Sequence, residues 1–171
     1  VQLSTASDYT GTLVSSATRN ATASFSGLTP NSTYYLRARA GNHAGTLTAF
    51  DSSVTTTTVA AAPNTSVVTP VTTVSVGLAW SANSNPSGTV YIVSLSTASD
   101  FSGTISSSQT LNNSATIAGL TPNTTYYQRV RALGHNSTFT AYDSSVSTIT
   151  LSASAMASAA TQVSTTTAGL S

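Results

Sequence analysis

The sequence has no cysteine, no lysine and no glutamate. Without cysteine there is no disulfide, no thiolate metal site and no cysteine nucleophile, and either redox compartment stays open. Without lysine, intramolecular Lys–Asn isopeptide crosslinks are excluded. Charge of either sign is scarce: 5% of residues are charged, against about 25% in a typical soluble domain. The five basic residues are all arginine and the four acidic ones all aspartate, for a net charge of +1. That balance gives no electrostatic footprint for nucleic acid or for an anionic membrane. No apolar run approaches the roughly 18 residues of a membrane-spanning helix. Val1-Gln2-Leu3-Ser4 does not read as a signal peptide, although one could have been removed or lie upstream.

Serine and threonine stand in for charge, at 64 of 171 residues, so hydroxyls must carry most of the surface solvation. Disordered stalks share that composition. Here, however, Val, Ile, Leu, Tyr and Phe recur with a period of two, which disorder does not require. With 39% of residues hydrophobic the chain can bury a core, and its length admits one or two domains. The chain also repeats itself. A shift of 92 residues aligns it without a gap, so that Val1 falls on Val93 and Asp8 on Asp100. Between residues 1–59 and 93–151, 35 of 59 positions are identical, so both copies are expected to share one fold.

The register is marked by Gly119-Leu120-Thr121-Pro122-Asn123-Thr124-Thr125-Tyr126-Tyr127-Gln128-Arg129-Val130-Arg131-Ala132 and its counterpart, Gly27-Leu28-Thr29-Pro30-Asn31-Ser32-Thr33-Tyr34-Tyr35-Leu36-Arg37-Ala38-Arg39-Ala40. Pro30 and Pro122 preset φ in a turn, and Asn31 and Asn123 tolerate unusual backbone angles. Beyond the turn residues alternate, with Tyr126, Val130 and Ala132 on one face and Tyr127, Arg129 and Arg131 on the other. This stretch resembles the E–F corner and F strand of a fibronectin type III domain, with Leu28 and Leu120 as its apolar lead. The resemblance implies that the corner tyrosines Tyr34 and Tyr126 hydrogen-bond back to the chain a few residues upstream.

The resemblance extends over the whole chain. It implies an all-β fold of tandem seven-stranded antiparallel fibronectin type III-like β-sandwiches. Residues 60–151 make the complete domain: strand A at 66–71, with Pro70 tolerated at an edge; strand B, with Val74, Val76, Leu78 and Trp80 inward; strand C, with Tyr91, Val93 and Leu95 inward; an edge strand C′ at 104–110; strand E, with Ala115, Ile117 and Leu120 inward; strand F at 126–133; and strand G at 140–150. A tryptophan on strand B sits in the core of such domains, and Trp80 matches it. Residues 1–59 make a partial domain, strands C to G, lacking A and B. Residues 152–171 align with 60–79 and make strands A and B of a further repeat or donor strands. Either the chain is a window on a longer array, or its last strands complete the first half-domain of another molecule. Both leave apolar faces and strand edges open, so the chain alone is expected to associate or fray.

The charged residues recur at 92: Asp8/Asp100, Asp51/Asp143, Arg37/Arg129 and Arg39/Arg131, with only Arg19 unmatched. The structural expectation is cross-strand pairing, Arg129 or Arg131 reaching Asp143. The functional alternative, an acid pair or ligand site, lacks the neighbouring carboxylates of a glycosidase or a calcium cage. His43 and His135 offer one histidine per repeat, too few for zinc, and abundant serine makes a triad uninformative. No catalytic, cofactor or metal site is expected, and the chain does not read as an enzyme. Arg-Gly-Asp is absent from the expected F–G loop. Asn20, Asn31, Asn64, Asn112, Asn123 and Asn136 head Asn-X-Ser/Thr triplets and are candidate glycosylation acceptors, whereas Asn85 precedes proline. Tyr35 and Tyr127 are candidates for a stacking platform, weighed against cross-strand packing. Gln128 breaks the inward pattern where Leu36 stands in the first copy, so its amide is expected to find a partner or water.

The function this implies is a structural repeat of a secreted or cell-surface fibrous protein, with a head-to-tail filament as one form. Partners would be copies of itself or adjacent repeats, with no nucleic acid and no membrane span. The alternative is a protein- or carbohydrate-binding accessory module of a secreted enzyme or adhesin. Fibronectin type III repeats are usually extracellular, and that carries the location.

Overall fold

The computed structural model describes residues 1–155. Eleven strands form three antiparallel sheets among these residues. The first holds β1 (Gln2–Ser4), β2 (Leu13–Ser15), β3 (Thr33–Arg37) and β4 (Val54–Thr57), ordered β2-β1-β3-β4. The others draw on β5 (Asn64–Val71), β6 (Ser75–Ser81), β7 (Val90–Ser96), β8 (Ile105–Thr110), β9 (Ser114–Ala118), β10 (Thr125–Leu133) and β11 (Val146–Ile149). Their orders are β5-β6-β9 and β11-β10-β7-β8. Three strands face four, the arrangement of a sandwich.

The core between these two sheets follows from alternation. In β10 the residues Tyr126, Gln128, Val130 and Ala132 are buried, and the residues between them are half-buried. Val76, Leu78 and Trp80 from β6 meet Tyr91, Val93 and Leu95 from β7, with Ile117 and Leu120 closing one side. Trp80 is 6% exposed and its ring lies 5.4 Å from that of Tyr91, tilted by 60°. Burial of each such aliphatic or aromatic side chain contributes about 1.5–3 kcal/mol. Pro70 is exposed on β5, an edge strand where its missing N–H costs no ladder bond.

Two expectations need correction. Val74 does not face the core: β6 starts at Ser75, and Val74 stands 47% exposed in the β5–β6 turn. Strand G is shorter than 140–150, because β11 covers only Val146–Ile149. Gln128 pairs with Val146, yet Asp143 N bonds Val130 O and Thr140 N bonds Ala132 O. Three residues of this segment thus span two of β10, twice over, which breaks the ladder as bulges do. Gln128 is 1% exposed, and among the described residues no protein group reaches either polar atom of its amide. The A and B strands expected over 152–171 lie outside the described residues from 156 on.

The first sheet repeats the second copy only where partners exist. β10 runs on to Leu133 because Val130–Leu133 pair with residues 93–90. β3 stops at Arg37, paired with Gln2, the second residue of the chain. β9 is held by β6, whereas its counterpart, residues 22–26, carries no strand. Leu3 and Tyr34 are buried, but Ala40 is exposed where Ala132 is fully buried. Among the described residues, the inner face of this sheet therefore lacks the cover that β5, β6 and β9 give the other.

Candidate functional site

Both corners are built alike. Thr29 N donates to the Tyr34 hydroxyl at 2.9 Å and Thr121 N to the Tyr126 hydroxyl at 3.1 Å. Asn31 and Asn123 both sit at φ 49°, the left-handed region that asparagine accepts best after glycine. Asn31 N reaches Val59 O, and Asn123 N reaches Leu151 O. Thr58 and Thr150 donate their hydroxyls to Thr29 O and Thr121 O, both at 2.7 Å. Tyr126→Phe is expected to lose about 1 kcal/mol, the usual worth of one such hydrogen bond. Chemical denaturation measures it, and unchanged stability would leave the hydroxyl without a role.

On the outer face of β10 the arginines stack on rings. The Arg129 guanidinium lies 3.7 Å from the centroid of Phe101 and 3.9 Å from that of Tyr142. Arg131 lies 4.8 Å from Tyr142 and 3.8 Å from Phe139. The order is Phe101, Arg129, Tyr142, Arg131, Phe139. Residues two apart on a strand stand about 6.6 Å apart, so one ring fits between two guanidinium planes. The first copy builds the same ladder with phenylalanine and tyrosine exchanged: Arg37 between Tyr9 and Phe50, at 3.7 and 3.9 Å, and Arg39 over Phe50 at 4.5 Å. Leu47 replaces the last ring. Each contact contributes about 0.5–1 kcal/mol at exposed sites.

The expected Arg–Asp pairing is not what forms. The aspartates take backbone N–H groups instead. Asp143 accepts from Ser66 N at 3.0 Å, tying β5 to the opposite sheet, and from Ser144 N at 2.6 Å. Asp51 accepts from Ala38 N at 2.6 Å. Asp8 Oδ1 accepts from Thr10 N and its hydroxyl, and Asp100 Oδ1 from Ser102 N and its hydroxyl. These last two are side-chain turns. They hold Tyr9 and Phe101 at φ 62°, an unusual angle for a bulky residue, and so present the first ring of each ladder.

Those donors, the hydroxyl first, also hold the Asp8 and Asp100 carboxyls below their ordinary value of 3.8. A carboxyl lowered on folding adds stability above its ordinary pKa and loses it as pH falls through the folded one. Carboxyl carbon shifts should therefore give midpoints below 3.8 for both residues, with the turns loosening only below that pH. Midpoints at or above it would contradict the turn bonds.

Tyr35 and Tyr127 stand apart from the ladder. Tyr127 lies between Ser96 and Ser147, and Tyr35 between Ser4 and Thr55. Among the described residues no three of His, Asp or Glu gather as metal ligands.

The corner asparagine of the first copy reaches the second sandwich. Asn31 is 0% exposed. Its Nδ2 donates to Thr89 Oγ1 at 2.9 Å, and its Oδ1 accepts from His135 N at 2.7 Å. Beside it the linker is fixed: Asn85 exchanges hydrogen bonds of 2.8 Å with Ala61 N and Ala61 O, and Asn83 Nδ2 donates to Ala62 O. An open hollow of about 480 Å³ borders this joint, lined in part by Leu28, Pro30, Ala61 and Asn83. Of the six triplet asparagines only Asn31 is buried; Asn20, Asn64, Asn112, Asn123 and Asn136 are exposed. A glycan on Asn31 and this joint exclude each other. The sequence signal that could have revealed the joint is the recurrence of asparagine and histidine at 92; the signal for the ladder is the recurrence of aromatics at 9/101 and 50/142.

The model of the family described as "Fibronectin type III domain" matches residues 61–150. No curated protein matches the chain. Several solved structures are similar to parts of it. The sixth fibronectin type III domain of human fibronectin type III domain containing protein 3 is 23% identical, covers 57% of this chain and 91% of its own, with a TM-score of 0.44. The FN1–FN3 domains of chicken CNTN1 are 19% identical and cover 72% of this chain, with a TM-score of 0.48. This chain spans 44% of that one. The Drosophila Lar FN5 domain is 18% identical, covers 53% of this chain and 96% of its own, with a TM-score of 0.44. Such domains are generally structural or binding modules, and the fold is typical of extracellular and cell-surface proteins. With its model spanning more than half of the residues, the chain belongs to the fibronectin type III family.

Proposed function

We propose that the chain is a structural repeat segment of an extracellular or cell-surface fibrous protein, without catalytic activity or cofactor. Its units are residues 1–59, strands C to G of one domain; 60–151, a complete domain; and 152–171, the first two strands of the next. The observation that carries this reading is the buried Asn31 joint, which ties one repeat to the next where a free linker would have served a string of independent modules. Within 152–171, Thr161 and Gly169 repeat Thr69 and Gly77, a directly opposed pair in β5–β6. A Cβ on Gly77 would collide with the Thr69 hydroxyl, so a glycine there suits that hairpin.

Partners are adjacent repeats or copies of the chain. Strand complementation is one route, because the first sheet leaves Leu13, Val14 and Val54 exposed, Val54 by 62%. Glycans are proposed on the exposed acceptors Asn20, Asn64, Asn112, Asn123 and Asn136; an intact mass of the bare 17.2 kDa would remove them. Electron microscopy tests the main reading. Regular fibres with a repeat of one or two domains support it. A strictly monomeric species whose residues 1–59 resist hydrogen exchange as well as 60–151 would overturn it.

A second reading, a protein- or carbohydrate-binding accessory module, is favoured by the ladder, which sets cations and rings side by side on one sheet face. A glycan-array signal abolished by Tyr127→Ala, or by Arg129→Ala, would select it.

A further inference from the structure

We infer that the Asn123 corner is a docking site for another unit of this 92-residue kind, engaged by the hydrogen bonds that Asn31 already makes. The inference rests on the repeat-segment reading and adds the contact residue and its partners. Asn31 and Asn123 share φ 49° and the same backbone bond, to Val59 O and Leu151 O. The next hydroxyls, of Ser32 and Thr124, both donate to the proline carbonyl at 3.0 Å. The backbone at Asn123 is therefore set as it is at Asn31, but the residue is exposed.

What fits it is defined by what Asn31 holds. One partner, Thr89, stands in the loop between β6 and β7; the other, the His135 backbone N–H, stands in the loop after β10. The two are 46 positions apart, so only a folded sandwich offers both at once. Thr89 is itself fixed by donating its hydroxyl to Pro86 O at 2.8 Å. A single carboxamide then acts as donor to one loop and acceptor from the other, which selects asparagine: an aspartate would lose the donor, a leucine both.

A second copy of the chain is a poor occupant. Its Thr89 and His135 are already held by its own Asn31. The occupant is a following unit with a complete β6–β7 loop. Its arrival would bury Asn123, so a glycan on Asn123 and a docked unit are mutually exclusive, as at Asn31.

The test uses the 171-residue chain and the same chain extended after Ser171, the counterpart of Ala79, by a second copy of residues 80–151. Asn31→Ala should raise the unfolding equilibrium constant roughly tenfold or more in both, because it removes both hydrogen bonds of a fully buried side chain, leaves the His135 N–H without its acceptor and strains alanine at φ 49°. Asn123→Ala should show only the strain of placing alanine at φ 49° in the 171-residue chain, and match Asn31→Ala in the extended one. Asn123→Asp, which keeps shape and acceptor, should fall between. Nitrogen-15 spectra should show the Asn123 side-chain NH₂ slowed in exchange only in the extended chain. If both Asn123 variants cost no more in the extended chain than in the 171-residue one while X-ray scattering gives a rod one unit longer, the docking inference falls and the array reading stands. If scattering gives flexibly tethered beads, or the added unit has no protected core, both fall.

Discussion

Trp80→Ala is expected to destabilise residues 60–151 by about 3–5 kcal/mol, the range for removing a large aromatic from a close-packed core. The ring is 6% exposed and stands against Tyr91, at the end of the core where β6 meets β7. Nothing nearby can refill the space cheaply: Leu78 and Val93, alternate neighbours on the two strands, are already fully buried. Domains of this size are stable by roughly 5–15 kcal/mol, so the variant should lie near the edge of folding. Urea denaturation followed by far-ultraviolet dichroism measures it. Trp80→Phe separates volume from fold loss and should recover most of the difference. A cost under about 1 kcal/mol, the level of an ordinary surface change, would mean that the indole does not fill the core.

Gln128→Leu carries the opposite sign. It should raise stability by about 1–3 kcal/mol, because a buried amide without partners costs that much. Gln128 is 1% exposed, flanked in register by Leu95 and Val146, and neither its Oε1 nor its Nε2 meets a protein partner. Leu36 occupies the equivalent place in the first copy, so the shape is compatible with the corner. A midpoint moving upward by several degrees is the expected readout; a domain of about 100 residues shifts by roughly 4–8 °C per kcal/mol. A fall in stability would mean that the amide is satisfied in solution by a group that leucine displaces.

The faces of the strands were legible because alternation is a local property. Tyr126, Val130 and Ala132 had to share a face once any of them was in a strand, and the 92-residue shift then carried the assignment to Tyr34. The corner, too, is local: five residues separate Thr121 from Tyr126. Val74 was misplaced by extending a true alternation one step past the end of its strand, into a turn closed by the Thr72 N to Ser75 O bond. The ladder was hidden for a different reason. Phe101, Arg129 and Tyr142 come from a turn, a strand and an irregular segment, and nothing periodic joins them. Opposite charges in the same region invited pairing, but each aspartate had a backbone N–H closer to hand. The joint was hidden because Asn31 already had two sufficient explanations, a left-handed turn and a glycosylation triplet, and neither looks beyond its own repeat.

The ladder and the aspartate turns together leave the fold with little that dissolved salt can weaken. Counterions screen separated charges over about 8 Å at physiological ionic strength. Here four of the five arginines lie within 5 Å of ring faces, and each aspartate is held by short hydrogen bonds to backbone N–H groups. Contact attractions of this kind hardly sense the ionic atmosphere. A surface of hydroxyls and stacked guanidiniums should therefore keep its shape from dilute buffer to concentrated salt.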